Sequence, residues 1–344
     1  MFLALLPLAS ASTCVFPGTC SPPDAGDYPF VGGRKYAVPR RQWGDSGGFC
    51  GALSIQVIGM SYGVYHSQDV IRKQAPVADP PGHGNPTEGY EILHSNVEGA
   101  LQNLHFDYTS WDWENEPKPQ GQAYLSWLKK QLVEGSGVVQ FVLCKGDGHN
   151  SYGPLTDPVP YDHVEPFFKI YSRSPLNSTE VNADDIVVHG SDYSPDGEDN
   201  FGYFRSFDSL LDDKRMEGNC RDAGDGYGKN EMYPCLYNEL TYGTSITGVS
   251  GSSADDVPVA ILVNSTEEAD IRENASPEPY EAKVIVDGDD ASAKYSVFRF
   301  DGLDSFPSAG DDWDETASFV YTGLPSGTFT DPNNFLSNTS VMYR

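Results

Sequence analysis

Cys50 stands in the run RQWGDSGGFCGALSIQVIGM, after two glycines and at the first position of a segment with helical apolar spacing. A thiol at a helix N-terminus meets unpaired N–H groups and the positive end of the macrodipole, both of which stabilise its thiolate. Nucleophilic catalysis also needs a base within hydrogen-bond reach and a third group that holds the base in one tautomer. His163, in YDHVEPFFKIYS, is the candidate base, because it enters a strand whose rigid backbone can aim an imidazole. His189, near the end of DIVVHG, competes with it, whereas His83 and His149 lie in glycine-rich loops. Asp192 follows the strand after His163 and is the candidate orienting group; Asp184 and Asp185 lie at that strand's other end and fit less well. Gln42, the only glutamine before Cys50, can pair its amide with the Cys50 backbone N–H as donors to an oxyanion.

These residues need elements to carry them. Leu53, Val57, Met60 and Val64 recur at helical intervals, which predicts a helix starting at Cys50 with one buried face. Residues 75–90 read as loop, and a second helix is expected over Asn96 to Leu104. Tyr124, Trp127, Leu128 and Leu132 predict a third helix that stops at Gly135, followed by a buried strand in VVQFVL. HVEPFFKIY and DIVVHG predict two more strands, with Pro166 marking a bulge or weakened pairing. Helices followed by strands point to an α+β class. From residue 245 the Gly/Ser/Thr-rich GTSITGVSGSSADD reads as a linker. VPVAILV, YEAKVIV, YSVFRF, ASFVYT and SVMYR then predict a small all-β sandwich of fewer than about 100 residues.

The expected organisation is a signal peptide at 1–12, an irregular lead-in at 13–40, a catalytic-type domain at 41–244 and the sandwich at 245–344. MFLALLPLASAS has a short apolar run ending in small residues, although no basic residue precedes Arg34. Sequons at Asn177, Asn264, Asn274 and Asn338, together with six cysteines, agree with export to the extracellular space. Cys14 with Cys20, and Cys220 with Cys235, are natural local bridges; Cys50 and Cys144 are left, and a bridge between them is the alternative to a reactive Cys50.

The balance of 22 basic against 50 acidic residues, a net charge of -28, repels phosphate backbones and excludes nucleic acid as an expected partner. No apolar run is long enough to insert in a membrane. The acidic runs SPDGEDN, CRDAGDGYG and VDGDDAS do not match a calcium loop, and zinc-site, phosphate-loop and serine-elbow motifs are missing.

The glutamine before GGFCGALSI, the helix-then-strand stretch YLSWLKKQLVEGSGVVQFVL, the YDHVEPFFKIY strand and a later strand ending in an aspartate resemble the papain-like cysteine peptidases. The branch they look most like is the bacteriocin-leader (double-glycine) peptidases, over roughly residues 40–215. The resemblance implies a papain-like fold, Cys50 as nucleophile, His163 as base and later acid, Asp192 as orienting residue and Gln42 as oxyanion donor. It departs in a longer stretch between Gln42 and Cys50 and a long link between His163 and Asp192. It further implies peptide or protein substrates and no cofactor. The same acyl-enzyme serves a transamidase or ligase, and a secreted binding or structural protein can keep the fold without the chemistry. The C-terminal strands would supply surface binding.

Overall fold

A helix that is apolar or small on every side but for one amide, Gln56, has little face to give to water, and CGALSIQVIGM is such a segment. In the computed structural model it forms α1 (Cys50–Met60), with all eleven residues buried. The single apolar face expected from Leu53, Val57 and Met60 is thereby corrected: α1 is a central helix, enclosed on all sides. It also ends earlier than the spacing suggested. Ser61 to Gly63 form a turn, Gly63 has φ +79°, and Val64 opens strand β2 (Val64–His66) instead of extending the stripe.

The structure describes residues 26–37, 42–43, 48–78, 84–112, 115–117, 120–145, 160–177, 180–191, 201–207, 243–252, 256–263, 279–290, 292–308 and 310–344. Within these, the side chains of 142–145, 160–163, 191, 201–203 and 205 lie outside the description. The segment expected as a signal peptide, 1–12, and Cys14, Cys20, Cys220 and Cys235 lie outside the described residues.

Around α1 runs a seven-stranded antiparallel sheet. Its strands are β1 (Phe30–Gly33), β5 (Phe106–Ser110), β6 (Gly137–Lys145), β7 (Pro160–Ser172), β8 (Ile186–Ser191), β9 (Phe201–Ser206) and β10 (Gly243–Val249). Their order is β5-β10-β6-β7-β8-β9, with β1 paired to the end of β7 from Phe30↔Ser172 to Gly33↔Lys169. β10 occupies the stretch expected as a linker. Flanked by β5 and β6, its Thr244, Ser245 and Ile246 are fully buried. Its glycines, set in a Gly/Ser/Thr-rich run, hid it, because Gly is depleted in strands while a central position overrides that preference.

The predicted strands after the third helix are present as β6, β7 and β8. Pro166 keeps its place in β7 opposite Val139, and the ladder to β8 slips between Phe167 and Lys169, as its proline led one to expect. The second and third predicted helices are α3 (Val97–Asn103) and α4 (Gly121–Val133). Helix α2 (Gln68–Gln74) was not anticipated; Ser67 caps it by accepting from Val70 N at 3.1 Å. Within the expected loop, β3 (Gly84–Asn85) pairs with β4 (Gly89–Tyr90).

Helix α4 is bolted down by charge. Lys129 Nζ, almost fully buried, donates to Asp185 Oδ2 at 2.8 Å, Glu180 O at 2.7 Å and Ser172 Oγ at 3.1 Å. All three ammonium protons thus have acceptors, which is the condition for tolerating a buried cation.

The C-terminal runs form a three-stranded sheet, β11 (Val259–Val263), β13 (Ala282–Val286) and β16 (Gly327–Thr330), and a four-stranded sheet. The latter has β15 (Phe319–Leu324), β14 (Tyr295–Asp301), β18 (Ser340–Tyr343) and β2 in that order. A pair, β12 (Pro279–Tyr280) with β17 (Phe335–Leu336), and the short helix α5 (Trp313–Thr316) complete the region. Tyr65, Ile261, Val284, Val297 and Val341 share one apolar cluster between the sheets. Three pairings cross the 244/245 boundary suggested by composition: β10 with β5, β10 with β6, and β2 with β18. At the level of class, mixed helices and antiparallel sheets make an α+β protein.

Candidate active site

The thiol is presented by the first turn of α1. Phe49 precedes Cys50 and accepts from Leu53 N at 2.8 Å, which closes that turn on its backbone oxygen. No acidic residue lies in the first turn and no side chain of the preceding Phe49 caps it. Cys50 is a buried thiol, 8% exposed.

The segment entering α1 is held from two sides. Arg72 of α2 donates from Nη1 to Gly48 O at 3.1 Å, and its guanidinium lies 4.3 Å from the Phe49 ring centroid. A fixed cation thereby stands against the residue that precedes Cys50. On the other side Trp43 is buried in the same apolar cluster as Phe49 and Cys50. Its backbone N–H donates to Gln68 Oε1 at 2.9 Å; Gln68 Nε2 donates to Gln56 Oε1 at 3.3 Å, and Gln56 Nε2 to His66 O at 2.8 Å. The residue after Gln42 is therefore anchored to α1 and α2 through three amides. Gln42 itself is half-buried.

Glycine at 48 and 51 answers to packing. Gly48 has φ +63° and faces the Glu91 side chain, while a Cβ on Gly51 would stand 2.5 Å from Ile92 Cβ. Only a missing side chain lets α1 approach the 91–92 segment this closely.

Strand β7 brings the candidate base to the helix. Ser54 Oγ lies 2.9 Å from Cys50 O and 3.1 Å from Val164 O, both within donating distance of one hydroxyl. The backbone of Cys50 and the residue after His163 thus meet at a single side chain. His163 occupies the register position opposite Val142; its side chain lies outside the described residues. β8 runs antiparallel to β7 and ends at Ser191, so it returns toward the end of β7 that carries His163. Asp192, the next residue, lies outside the described residues, as do His83 and His149.

The competing groups are engaged elsewhere. Val188 packs with Leu53 and Val57 of α1, while His189 sits 3.0 Å from Glu165 Oε2 through Nδ1 and 5.0 Å between ring centroids from Phe167. Successive strand residues face opposite sides, so His189 turns away from α1. Asp185 is taken by Lys129 and Asp184 by Arg173 at 2.7 Å. Sequence reading missed Ser54, Arg72 and Glu165. Ser54 left one trace: a hydroxyl four residues after Cys50 in a mostly apolar helix, where it needs an acceptor.

Among the described residues no group of three or more His, Cys, Asp or Glu side chains is placed to hold a metal ion. No described helix is long and apolar enough to cross a membrane. Asn177 and Asn338 are exposed in turns, where a glycan has room; Asn264 and Asn274 lie outside the described residues. Comparison with protein-family models, curated proteins and solved structures found no match to this chain.

Proposed function

We propose that the protein is a secreted papain-like cysteine hydrolase acting on peptide or amide bonds. The supporting observation is the Ser54 hydroxyl, which ties the first turn of α1 to β7 beside His163. In this reading the Cys50 thiolate attacks the carbonyl carbon, and the oxyanion takes hydrogen bonds from the Cys50 N–H and the Gln42 amide. His163, oriented by Asp192, gives its proton to the leaving amine. A water, losing a proton to His163, then cleaves the thioester and restores the thiol. Cys50 would stay reduced while Cys14 with Cys20 and Cys220 with Cys235 close bridges in the oxidising exterior. The C-terminal sheets would act as a sandwich domain that contacts substrate or a surface.

The test incubates native protein with an unstructured peptide mixture and reads products by mass spectrometry, with Cys50→Ala as control and an added amine acceptor in a parallel arm. Cleavage lost in the variant supports the reading, and amine adducts assign acyl transfer in place of hydrolysis. Cleavage that persists in the variant rejects it, as does an intact Cys50–Cys144 disulfide in secreted material.

A further inference from the structure

At the C-terminal end of α1, a cleft of about 420 Å³ opens between β10, β11 and β14. Its size is that of a small-molecule site. One wall is apolar, with Val257, Val259 and Val297, and two arginines reach it, each laid on an aromatic ring. Arg34 stacks on Tyr62 at 3.6 Å, and Arg344 lies 5.2 Å from the Trp313 centroid.

Arg34 is held by carbonyl and hydroxyl oxygens alone: Ser61 Oγ at 3.0 Å, Gly135 O at 3.2 Å and Ser61 O. It makes no ion pair among the described residues. Arg344 donates from Nη2 to Ser250 O at 2.6 Å, but its Nη1 is buried without a hydrogen-bond partner. The Arg344 side chain is 5% exposed, and Asp256 Oδ2 stands 3.8 Å from Nη1, an ion pair too long to be a hydrogen bond. A buried donor of a charged group left without a hydrogen-bond acceptor is costly, and Arg344 is part of the cleft lining.

We infer that this cleft binds a small carboxylate carried on a ring, with the carboxylate at Arg344 and Arg34 and the ring against the valine wall. The guanidinium fork matches a carboxylate, and the apolar wall takes a flat body. Of the net charge of -28, the carboxylates farther than about 8 Å are largely screened at physiological ionic strength, and Asp256 is the one acidic side chain in the lining. The cleft stands at the far end of an eleven-residue helix, about 16 Å from Cys50 by helical rise, so it is separate from the thiol.

Calorimetric titration of the full chain with D-glucuronate and with benzoate tests this, using glucose and benzamide as neutral partners. Binding of either acid at millimolar concentration supports the inference and tells a sugar acid from an aromatic one. Arg344→Gln is expected to weaken binding by about tenfold, the order of one charge-assisted hydrogen bond. Ser296→Trp, which fills the cleft from an exposed strand position, is expected to abolish it with an unchanged melting temperature. Cys50→Ala is expected to bind as the native chain does, which separates this result from that of the hydrolase test. Equal binding of a neutral partner, no heat with either acid, or undiminished binding by Ser296→Trp overturns the inference.

Discussion

The Ser54 hydroxyl lies 3.1 Å from the Val164 carbonyl oxygen, joining the helix that begins at Cys50 to the strand that carries His163. Both elements are buried there, so the hydroxyl has no water to fall back on. Ser54→Ala is expected to lower stability by about 1 kcal/mol in urea titration, the net worth of such a bond. If the strand needs this tie to aim His163, the rate of Cys50 alkylation falls at least tenfold in the same variant. An unchanged rate means that the tie is structural only.

Cys50→Ala is expected to abolish labelling of the native protein by a thiol-directed electrophile and to leave the circular dichroism spectrum unchanged. Equal labelling of the variant would assign the reactive thiol to Cys144.

Gly51→Ala is expected to destabilise by about 1–3 kcal/mol, the usual cost of overpacking, because its Cβ meets Ile92 Cβ and the Ile92 carbonyl. Gly48→Ala is expected to be comparably harmful through its φ of +63°. Wild-type midpoints for either variant would remove the packing explanation for these glycines.

His66 gives the fold an acid-sensitive point. Its Nε2 lies 3.2 Å from Leu104 O and so carries the proton, while Nδ1 accepts from Ser340 Oγ at 2.8 Å. Burial pushes its pKa down to about 3. A depressed folded-state value means that the unfolded chain binds the extra proton first. The stability from neutral His66 is complete above about pH 6.5 and is lost as pH falls toward 3, by up to about 1.4 kcal/mol per unit. Urea midpoints measured from pH 7 to pH 4.5 should fall accordingly, and His66→Gln should flatten that dependence. The same slope in the variant would assign it to other groups.

Arg299 and Asp331 form the buried charge pair of the C-terminal sheets, at 2.8 Å, with Tyr321 and Tyr343 donating to the two Asp331 oxygens at 2.6 and 2.7 Å. Burial raises the Asp331 pKa, but these donors outweigh it and the net direction is down. Asp331→Asn keeps the shape and strands the guanidinium, so a loss of about 3–5 kcal/mol is expected by chemical denaturation. A loss under about 1 kcal/mol would show that Asp301, 2.7 Å from Arg299 Nε, suffices.

By itself the sequence determined the elements with strong periodicity. Cys50 begins a helix, Tyr124 to Leu132 form a buried stripe, and HVEPFFKIY is a strand disturbed after its proline; each follows from local spacing and backbone stereochemistry. It also named the thiol and the strand brought beside it. Tertiary structure decided what spacing cannot carry. β10 is a strand because β5 and β6 enclose it, although its composition reads as a linker. Asp185 belongs to Lys129, and His189 to Glu165, because long-range pairing and strand alternation choose partners that lie far apart along the chain. Ser54 became a tie only when β7 arrived to offer the Val164 carbonyl. Hydrogen-bond partners of buried polar groups are set by which elements meet, and that choice is made by packing of the whole apolar surface.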